Sequence, residues 1–177
     1  MIVSPDEKLL ISPNKTKIGL FLVISLGFVV GGFWILSSSH HEPKFNPVLV
    51  YAIGISNIIF FGVCALTFAV QLCNTKPSVV LDAMGIIDNS SAVSVGRILW
   101  QDIDRVSITQ IENQKFLTIH VNCPEKYLQR GSWFKRKLND LNNKIYGSPI
   151  HISTNMLSIS LEELNNEISR FHEQFTR

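Results

Sequence analysis

The chain has 177 residues, of which 46% are hydrophobic and only 17% are charged, and its formal net charge at pH 7 is +2. Soluble domains ordinarily carry about a quarter charged residues, so this composition argues against a purely soluble protein. After residue 75 the basic and acidic residues nearly balance. That balance argues against a nucleic-acid-binding surface, so we expect no nucleic acid among the partners.

Two apolar segments without a charged residue occupy the first half of the chain, Ile18–Leu36 and Val48–Leu72. About 20 apolar residues in a helix cross a hydrocarbon core of about 30 Å. We therefore predict a transmembrane helical hairpin over residues 18–74, with helices at about 18–36 and 48–72, preceded by an N-terminal tail of residues 1–17. A signal peptide is the alternative for the first segment, but the segment is longer than a usual apolar signal region and a second span follows it.

The lysines near the two spans predict the orientation of the hairpin. Lys8, Lys15 and Lys17 precede the first span and Lys76 follows the second, whereas the loop between the spans has only Lys44. Cytoplasmic flanks of membrane helices are enriched in Lys and Arg. Both termini are therefore predicted to be cytoplasmic, in a protein that crosses the membrane twice.

Small and polar residues within the spans indicate how the two helices pack. Gly27-x-x-x-Gly31 allows a partner backbone to approach closely, as is common between membrane helices. Asn57 lies at about the same depth as Ser25, and we expect it to bond to Ser25 or to a nearby carbonyl. A transport role for Asn57 is the alternative, but neither span contains the ionisable residue that such paths usually carry.

Residues 75–177 change to short alternating segments spaced about ten residues apart, which predicts an antiparallel β domain. The stretch GRILWQDIDRVSI (96–108) loses its alternation just after Trp100. We expect a corner there, in which Asp102 caps a turn and Ile103 packs inward. A catalytic pair of Asp102 and Asp104 is the alternative, but no nucleophile, metal-binding or phosphate-binding motif accompanies it. No enzymatic activity, metal or cofactor is therefore expected.

Two helices are predicted near the C-terminus. The first carries an apolar stripe at helical spacing and ends at Gly147, and the second begins with an S-x-x-E capping box at Ser160 and Glu163 and continues as a longer stripe. The first stripe consists of Phe134, Leu138, Leu141 and Ile145, and the second of Leu161, Leu164, Ile168, Phe171 and Phe175. The second helix is expected to cover one face of the sheet.

The segment RGSWFKRK (130–137) combines aromatic and basic residues and is the most suggestive surface feature. Basic residues are attracted to anionic membrane leaflets, and Trp prefers the membrane interface. The sequence therefore predicts a membrane-surface or lipid contact by Arg130, Trp133, Lys135, Arg136 and Lys137. The alternative is that Phe134, with or without Trp133, packs into the core and the basic residues are merely solvated.

Several short motifs resemble a family of small bacterial membrane proteins. These motifs are KPSVVLD (76–82), GI (85–86), GRILWQDI (96–103), GSPIHIS (147–153) and SLEEL (160–164). Members of that family have two N-terminal transmembrane helices and a cytoplasmic domain similar to pleckstrin-homology (PH-like) folds. The resemblance implies a strongly bent sheet with a C-terminal helix, in the bacterial inner membrane, whereas the predicted helix at Phe134 is an insertion into that layout.

The predicted architecture is thus α+β, with a transmembrane hairpin followed by a PH-like antiparallel domain over residues 75–177. The expected function is that of a non-enzymatic, membrane-anchored binding module. Its domain would dock a protein partner or the lipid surface of the inner leaflet. The alternative is an immunity or accessory protein that acts through its membrane hairpin, and self-association into a homo-oligomer stays open.

Overall fold

The computed structural model describes residues 7–38, 46–91, 93–111 and 113–175. The chain forms two compact units, a helical hairpin over Asn14–Thr75 and an α+β domain made of the residues before Asn14 and those from Lys76 onward. The elements in chain order are β1 (Leu9–Ile11), α1 (Lys15–Ser38), α2 (Pro47–Cys73), β2 (Val79–Asp82), β3 (Gly85–Asp88), β4 (Gly96–Leu99), β5 (Ile103–Ile111), β6 (Gln114–Val121), α3 (Pro124–Leu128), α4 (Trp133–Tyr146), β7 (Ile150–Ile152) and α5 (Leu161–Phe175).

Helices α1 and α2 lie side by side in antiparallel orientation. The ring of Phe21 near the start of α1 stacks on Phe68 near the end of α2, and Phe28 stacks on Phe61 with 4.3 Å between ring centroids. Both helices are long and apolar enough to cross a membrane, and only 17% and 11% of their most apolar windows are buried. The exposed apolar surface distinguishes them from core helices of a soluble domain.

The N-terminal residues differ from the predicted separate tail. Leu9–Ile11 forms β1, which pairs antiparallel with β2, and the Ile11 side chain is buried in the domain core. The strand was missed because three residues are too few to show an alternating pattern, and because its partner strand lies beyond the whole hairpin. The domain therefore contains chain from both sides of the hairpin, and residues 75–177 alone lack one of its strands.

The domain contains two antiparallel sheets, one in the order β1-β2-β3-β4 and one in the order β5-β6-β7. The inward residues of both sheets form one apolar core, in which Leu81, Ile98, Leu117 and Ile152 are fully buried. The α+β class and the antiparallel strands predicted from alternation are confirmed.

Helix α5 closes this core. The Ser160 hydroxyl accepts a hydrogen bond from the Glu163 N–H, while the Glu163 carboxylate accepts from the Ser160 N–H, so the predicted capping box is confirmed. The side chains of Leu164, Ile168 and Phe171 are buried, and the helix packs on β2 and β6, one strand from each sheet. The C-terminal helix therefore covers both sheets rather than one.

The corner at residue 102 is a single 3-10 turn, Trp100–Asp102, followed by a β-bulge between Ile103 and Arg105. Trp100 and Ile103 are buried, as expected, and Trp100 Nε1 donates to the Asp82 carbonyl over 2.8 Å. The capping role predicted for Asp102 is wrong, because Leu99 occupies the N-cap position and no described side chain caps this turn. The turn carries the chain from β4 of the first sheet into β5 of the second. Together with the bulge at the start of β5, it explains the lost alternation.

Candidate functional site

Helix α4 attaches to the domain through its polar side. Asn139 is completely buried, and its Nδ2 donates to the Val93 carbonyl over 3.1 Å. At the C-terminal end, the Tyr146 ring packs edge-on against His151 of β7, and Gly147 ends the helix with φ +70°. A left-handed φ of this kind favours glycine. The helix is therefore fixed to the domain mainly by polar contacts and not by its apolar stripe.

The opposite side of α4 exposes the large apolar side chains of the predicted stripe, together with Trp133. The exposed fractions are 69% for Trp133, 64% for Phe134, 51% for Leu141 and 57% for Ile145. These four residues, with half-buried Leu138, are called the α4 face below. The alternative that Phe134, with or without Trp133, packs into the core is wrong, because the buried polar contact of Asn139 turns the stripe towards solvent.

Basic side chains lie within and beside the α4 face. Lys137 and Lys144 line a shallow groove of about 420 Å³ together with Trp133 and Leu141. The Lys137 ammonium is 5.2 Å from the centre of the Trp133 ring, a cation–π contact. Lys144 Nζ is 2.7 Å from Asp140 Oδ2, and Asp140 is the single acidic residue of α4. The face therefore combines apolar surface with a net positive charge.

Arg130, one of the five predicted lipid-contact residues, serves the domain itself. Its Nη1 donates to the carbonyls of Val95 and Arg97, and its guanidinium stacks on Tyr127 at 4.4 Å from the ring centre. These bonds fasten the segment before α4 to the start of β4. Arg130 is therefore a structural residue.

Lys135 also lies away from the exposed face. Its aliphatic chain runs along Gly131, where an added Cβ would stand 2.6 Å from Lys135 Cδ. Trp133, Arg136 and Lys137 are exposed. The sequence analysis did not predict that Leu138, Leu141, Lys144 and Ile145 belong to the same exposed surface. Their helical spacing from Phe134 and Lys137 could have indicated it.

Asp102 is held by two side chains from α3. Tyr127 Oη and Lys126 Nζ each lie 2.6 Å from Asp102 Oδ2. The bonds from Lys126 and Tyr127 lower the pKa of the Asp102 carboxyl, while burial and the bond to Asp102 raise the pKa of Tyr127 to about 12. Asp104 is exposed at the bulge. Asp102 thus links the corner to α3, and this accounts for it without catalysis.

The close contact between the two helices of the hairpin is at Gly32, the residue after the predicted Gly31. A Cβ on Gly32 would be 2.7 Å from Ile58 Cγ1, and one on Gly54 would be 2.5 Å from Leu36 Cδ2, whereas a Cβ on Gly27 or Gly31 would meet nothing within 4 Å. The helices therefore approach each other at Gly32 and Gly54. Gly27 and Gly31 lie outside the contact.

The polar residues of the hairpin do not pair with each other as expected. The Ser25 hydroxyl donates to the Phe21 carbonyl within α1 over 2.8 Å. Among the residues that the structure describes, buried Asn57 Oδ1 has no hydrogen-bond partner, and it lies 3.0 Å from where a Cβ on Gly32 would be. The expected bond from Asn57 to Ser25 is therefore wrong, since Asn57 lies beside Gly32 instead.

A second polar cluster lies on the sheet β5-β6-β7. Ser107 Oγ is 3.1 Å from His120 Nε2, and Thr118 Oγ1 is 2.9 Å from His151 Nδ1. Burial lowers the pKa of His151, whose Nε2 bonds to the Ser148 carbonyl. The hydroxyl and imidazole groups thus satisfy one another's hydrogen bonds across the strands. Within the described ranges, no group of three or more His, Cys, Asp or Glu residues could hold a metal ion.

Comparison with protein-family models, curated proteins and solved structures gives no match to this chain. The α4 face and the apolar hairpin are therefore the features of the molecule that indicate a function.

Proposed function

We propose that this protein is a non-enzymatic docking module anchored in the bacterial cytoplasmic membrane. The hairpin of α1 and α2 crosses the membrane twice, and both ends of the chain are in the cytoplasm. The remaining domain is PH-like and docks through the α4 face. No catalytic group and no cofactor take part.

The pairing of β1 with β2 supports this topology. Strand β1 precedes the hairpin and β2 follows it, and Leu9 of β1 lies opposite Leu81 of β2. Two strands of one sheet are on the same side of a membrane. A membrane hairpin between them must therefore enter the membrane from that side and return to it. The lysines that flank the hairpin, Lys8, Lys15, Lys17 and Lys76, favour the cytoplasmic side.

The sheet layout supports the PH-like assignment. A four-stranded and a three-stranded antiparallel sheet share one core, and a C-terminal helix packs on both. Two insertions depart from the plain layout: the hairpin lies between β1 and β2, and α3 with α4 lies between β6 and β7. Both insertions join strand ends, where a chain can be extended without loss of core contacts.

The observation that carries the docking role is the exposure of the α4 face. Contiguous apolar patches rimmed by polar residues mark interaction sites, whereas single exposed apolar residues are ordinary. Other exposed apolar side chains of the described domain lie on separate elements, for example Leu10 on β1 and Ile108 on β5. On α4, four such side chains share one helix that is fixed in place by Asn139.

Site-specific photocrosslinking in the native membrane tests this role. A photoreactive amino acid replaces Leu141 in the full-length protein, and Ile108 is replaced in the same way as the control, since both positions are exposed. Crosslinks from position 141 to lipid or protein, well above those from position 108, are expected. Equal, background-level crosslinking at the two positions would contradict the docking role.

A further inference from the structure

We infer that the α4 face binds the anionic lipid surface of the membrane that holds the hairpin. This inference rests on the proposed docking function and identifies the docking partner as lipid. The helix then lies in the plane of the interface. Its apolar side chains enter the boundary between head groups and acyl chains, and its basic side chains contact lipid phosphates.

The charge of α4 fits an anionic surface. Of the four basic residues of α4, Lys137 and Lys144 line the groove of the α4 face and Arg136 is exposed, and Asp140 is the single acid of the helix. Interfacial helices combine an apolar face bearing Trp, Phe and Leu with basic residues on the polar side, and they bind anionic lipid more strongly than neutral lipid. Fourteen residues give α4 a length of about 21 Å, enough for several lipid head groups.

The position of the lysines favours lipid over a protein partner. Lys137 and Lys144 line the same groove as Trp133, Phe134 and Leu141, and Asp140, which pairs with Lys144, leaves the groove with a net positive charge. The buried centres of protein interfaces are depleted in charged residues, and in lysine especially. At a bilayer, by contrast, a lysine can lay its aliphatic stem along apolar surface and extend its ammonium to the phosphates.

The attachment of the domain to the hairpin makes a weak lipid contact sufficient. Only residues 12–14 separate β1 from α1, and only residues 74–78 separate α2 from β2. Fully extended, these links reach about 10 Å and about 18 Å. Such short tethers replace a bimolecular encounter with an intramolecular one at high effective concentration, so the α4 face needs little intrinsic affinity to stay on the lipid.

Tryptophan quenching by brominated lipids in nanodiscs tests this inference on the full-length protein. Trp34→Phe removes the exposed indole of α1, which leaves the buried Trp100 and the exposed Trp133. The double variant Trp34→Phe/Trp133→Phe gives the Trp100 background. In nanodiscs containing anionic phosphatidylglycerol, we expect lipid brominated near the head group to quench Trp133 well above that background.

Charge reversal on α4 is expected to release the face. Each basic residue near an anionic surface contributes about a fivefold preference for the bound state. Lys137→Glu/Lys144→Glu, which changes the two lysines that line the groove, should therefore lower the docked-to-free ratio by about 25-fold or more. Arg105→Glu/Lys115→Glu is the matched control, with the same charge change at exposed positions on β5 and β6. The control variant should retain the quenching of Trp133 in anionic nanodiscs. Nanodiscs of purely zwitterionic lipid should reduce the quenching of Trp133 in the protein without charge reversal.

Two results would overturn the lipid assignment. Quenching of Trp133 at the background level in anionic nanodiscs means that the face does not reach the bilayer. Equal loss of quenching in both charge-reversal variants means that net charge, and not α4, controls the contact. If Leu141 still crosslinks to a protein in native membranes in either case, the docking role stands and only its lipid partner is wrong.

Discussion

Asp102 joins the corner between the two sheets to α3 through hydrogen bonds from Tyr127 and Lys126. Tyr127 is completely buried, and its hydroxyl also accepts the Leu99 N–H at 3.4 Å. One hydroxyl therefore connects β4, the 3-10 turn and α3. The same α3 leads through Arg130, stacked on Tyr127, to the start of α4. The orientation of the α4 face thus depends on a few buried polar contacts.

Replacement of Tyr127 by Phe tests this link. The ring remains but the hydroxyl is lost, so the free energy of unfolding should fall by about 1–2 kcal/mol. The folded state raises the pKa of Tyr127 from 10.0 to about 12. The contribution of the Tyr127 hydroxyl to the free energy of unfolding is therefore complete below pH 10 and is lost as the pH rises towards 12. Thermal unfolding of the full-length protein in nanodiscs, followed by circular dichroism from about pH 8 to about pH 11, measures both effects.

Tyr146→Phe is the matched control for that experiment, because it makes the same chemical change on α4. It should reproduce the alkaline loss of stability seen in the unmodified protein, whereas Tyr127→Phe should show a shallower loss. Identical stability and identical pH dependence in the two variants would contradict the structural role of the Tyr127 hydroxyl.

Helix α4 shows what an apolar stripe can and cannot predict. The spacing of Phe134, Leu138, Leu141 and Ile145 correctly predicted a helix that ends at Gly147. It could not predict which side of the helix faces the domain, because an apolar stripe indicates burial by some surface and not by a particular one. The deciding contact is the single buried Asn139, whose partner Val93 lies 46 residues earlier.

Local motifs were predicted more reliably than pairings distant in sequence. The capping box at Ser160 and the corner at Trp100 depend on neighbouring residues and could be read from the sequence. The partner of Asp102 could not, since Tyr127 lies 25 residues further along the chain. In the hairpin, the GxxxG pattern identified a small-residue helix but not its contact side, and Gly32 lies at the contact in place of Gly31.

The two adjacent glycines of α1 give a direct test of the hairpin geometry. A methyl group at Gly32 would press on Ile58 and on Asn57 Oδ1, whereas one at Gly31 would enter open space. We expect Gly32→Ala to lower the free energy of hairpin unfolding by about 1–3 kcal/mol, the usual effect of overpacking. Gly31→Ala should change it by less than about 0.5 kcal/mol.

SDS titration of the full-length protein in mixed micelles measures both variants under one condition. The two substitutions make the same chemical change at consecutive positions of one helix, so differences in intrinsic helix propensity cancel. A larger loss for Gly31→Ala than for Gly32→Ala would place the helix contact on the side predicted from the sequence.

At the scale of the whole molecule, the hairpin is an insertion between two paired strands of one domain. Ile11 lies opposite Val79 in the β1–β2 ladder, and both side chains are buried. The domain can complete its first sheet only after the chain has passed through both helices and returned. In the proposed topology, membrane insertion and folding of the domain are therefore linked by connectivity, and both strands must emerge on the same side.

The same-side topology predicts a defined pattern of cysteine accessibility. Cys123 is exposed on the domain, and in a Cys64→Ser/Cys73→Ser background it is the one thiol in the sequence. A membrane-impermeant maleimide added to intact spheroplasts should leave Cys123 unlabelled and should label it after permeabilisation. Lys8→Cys, in a background without the native cysteines, should behave in the same way because β1 and β2 share a sheet.

Lys44→Cys in the loop between the helices provides the opposite expectation, since the predicted topology places this loop outside the cytoplasmic membrane. It should be labelled in intact spheroplasts by the same reagent. Labelling of Cys123 from outside, with Lys44→Cys protected, would show that the protein has the opposite orientation in the membrane. That result would still be compatible with the pairing of β1 and β2. Labelling of Cys123 and Lys8→Cys from opposite sides of the membrane would contradict the pairing of β1 with β2, and with it the proposed same-side topology.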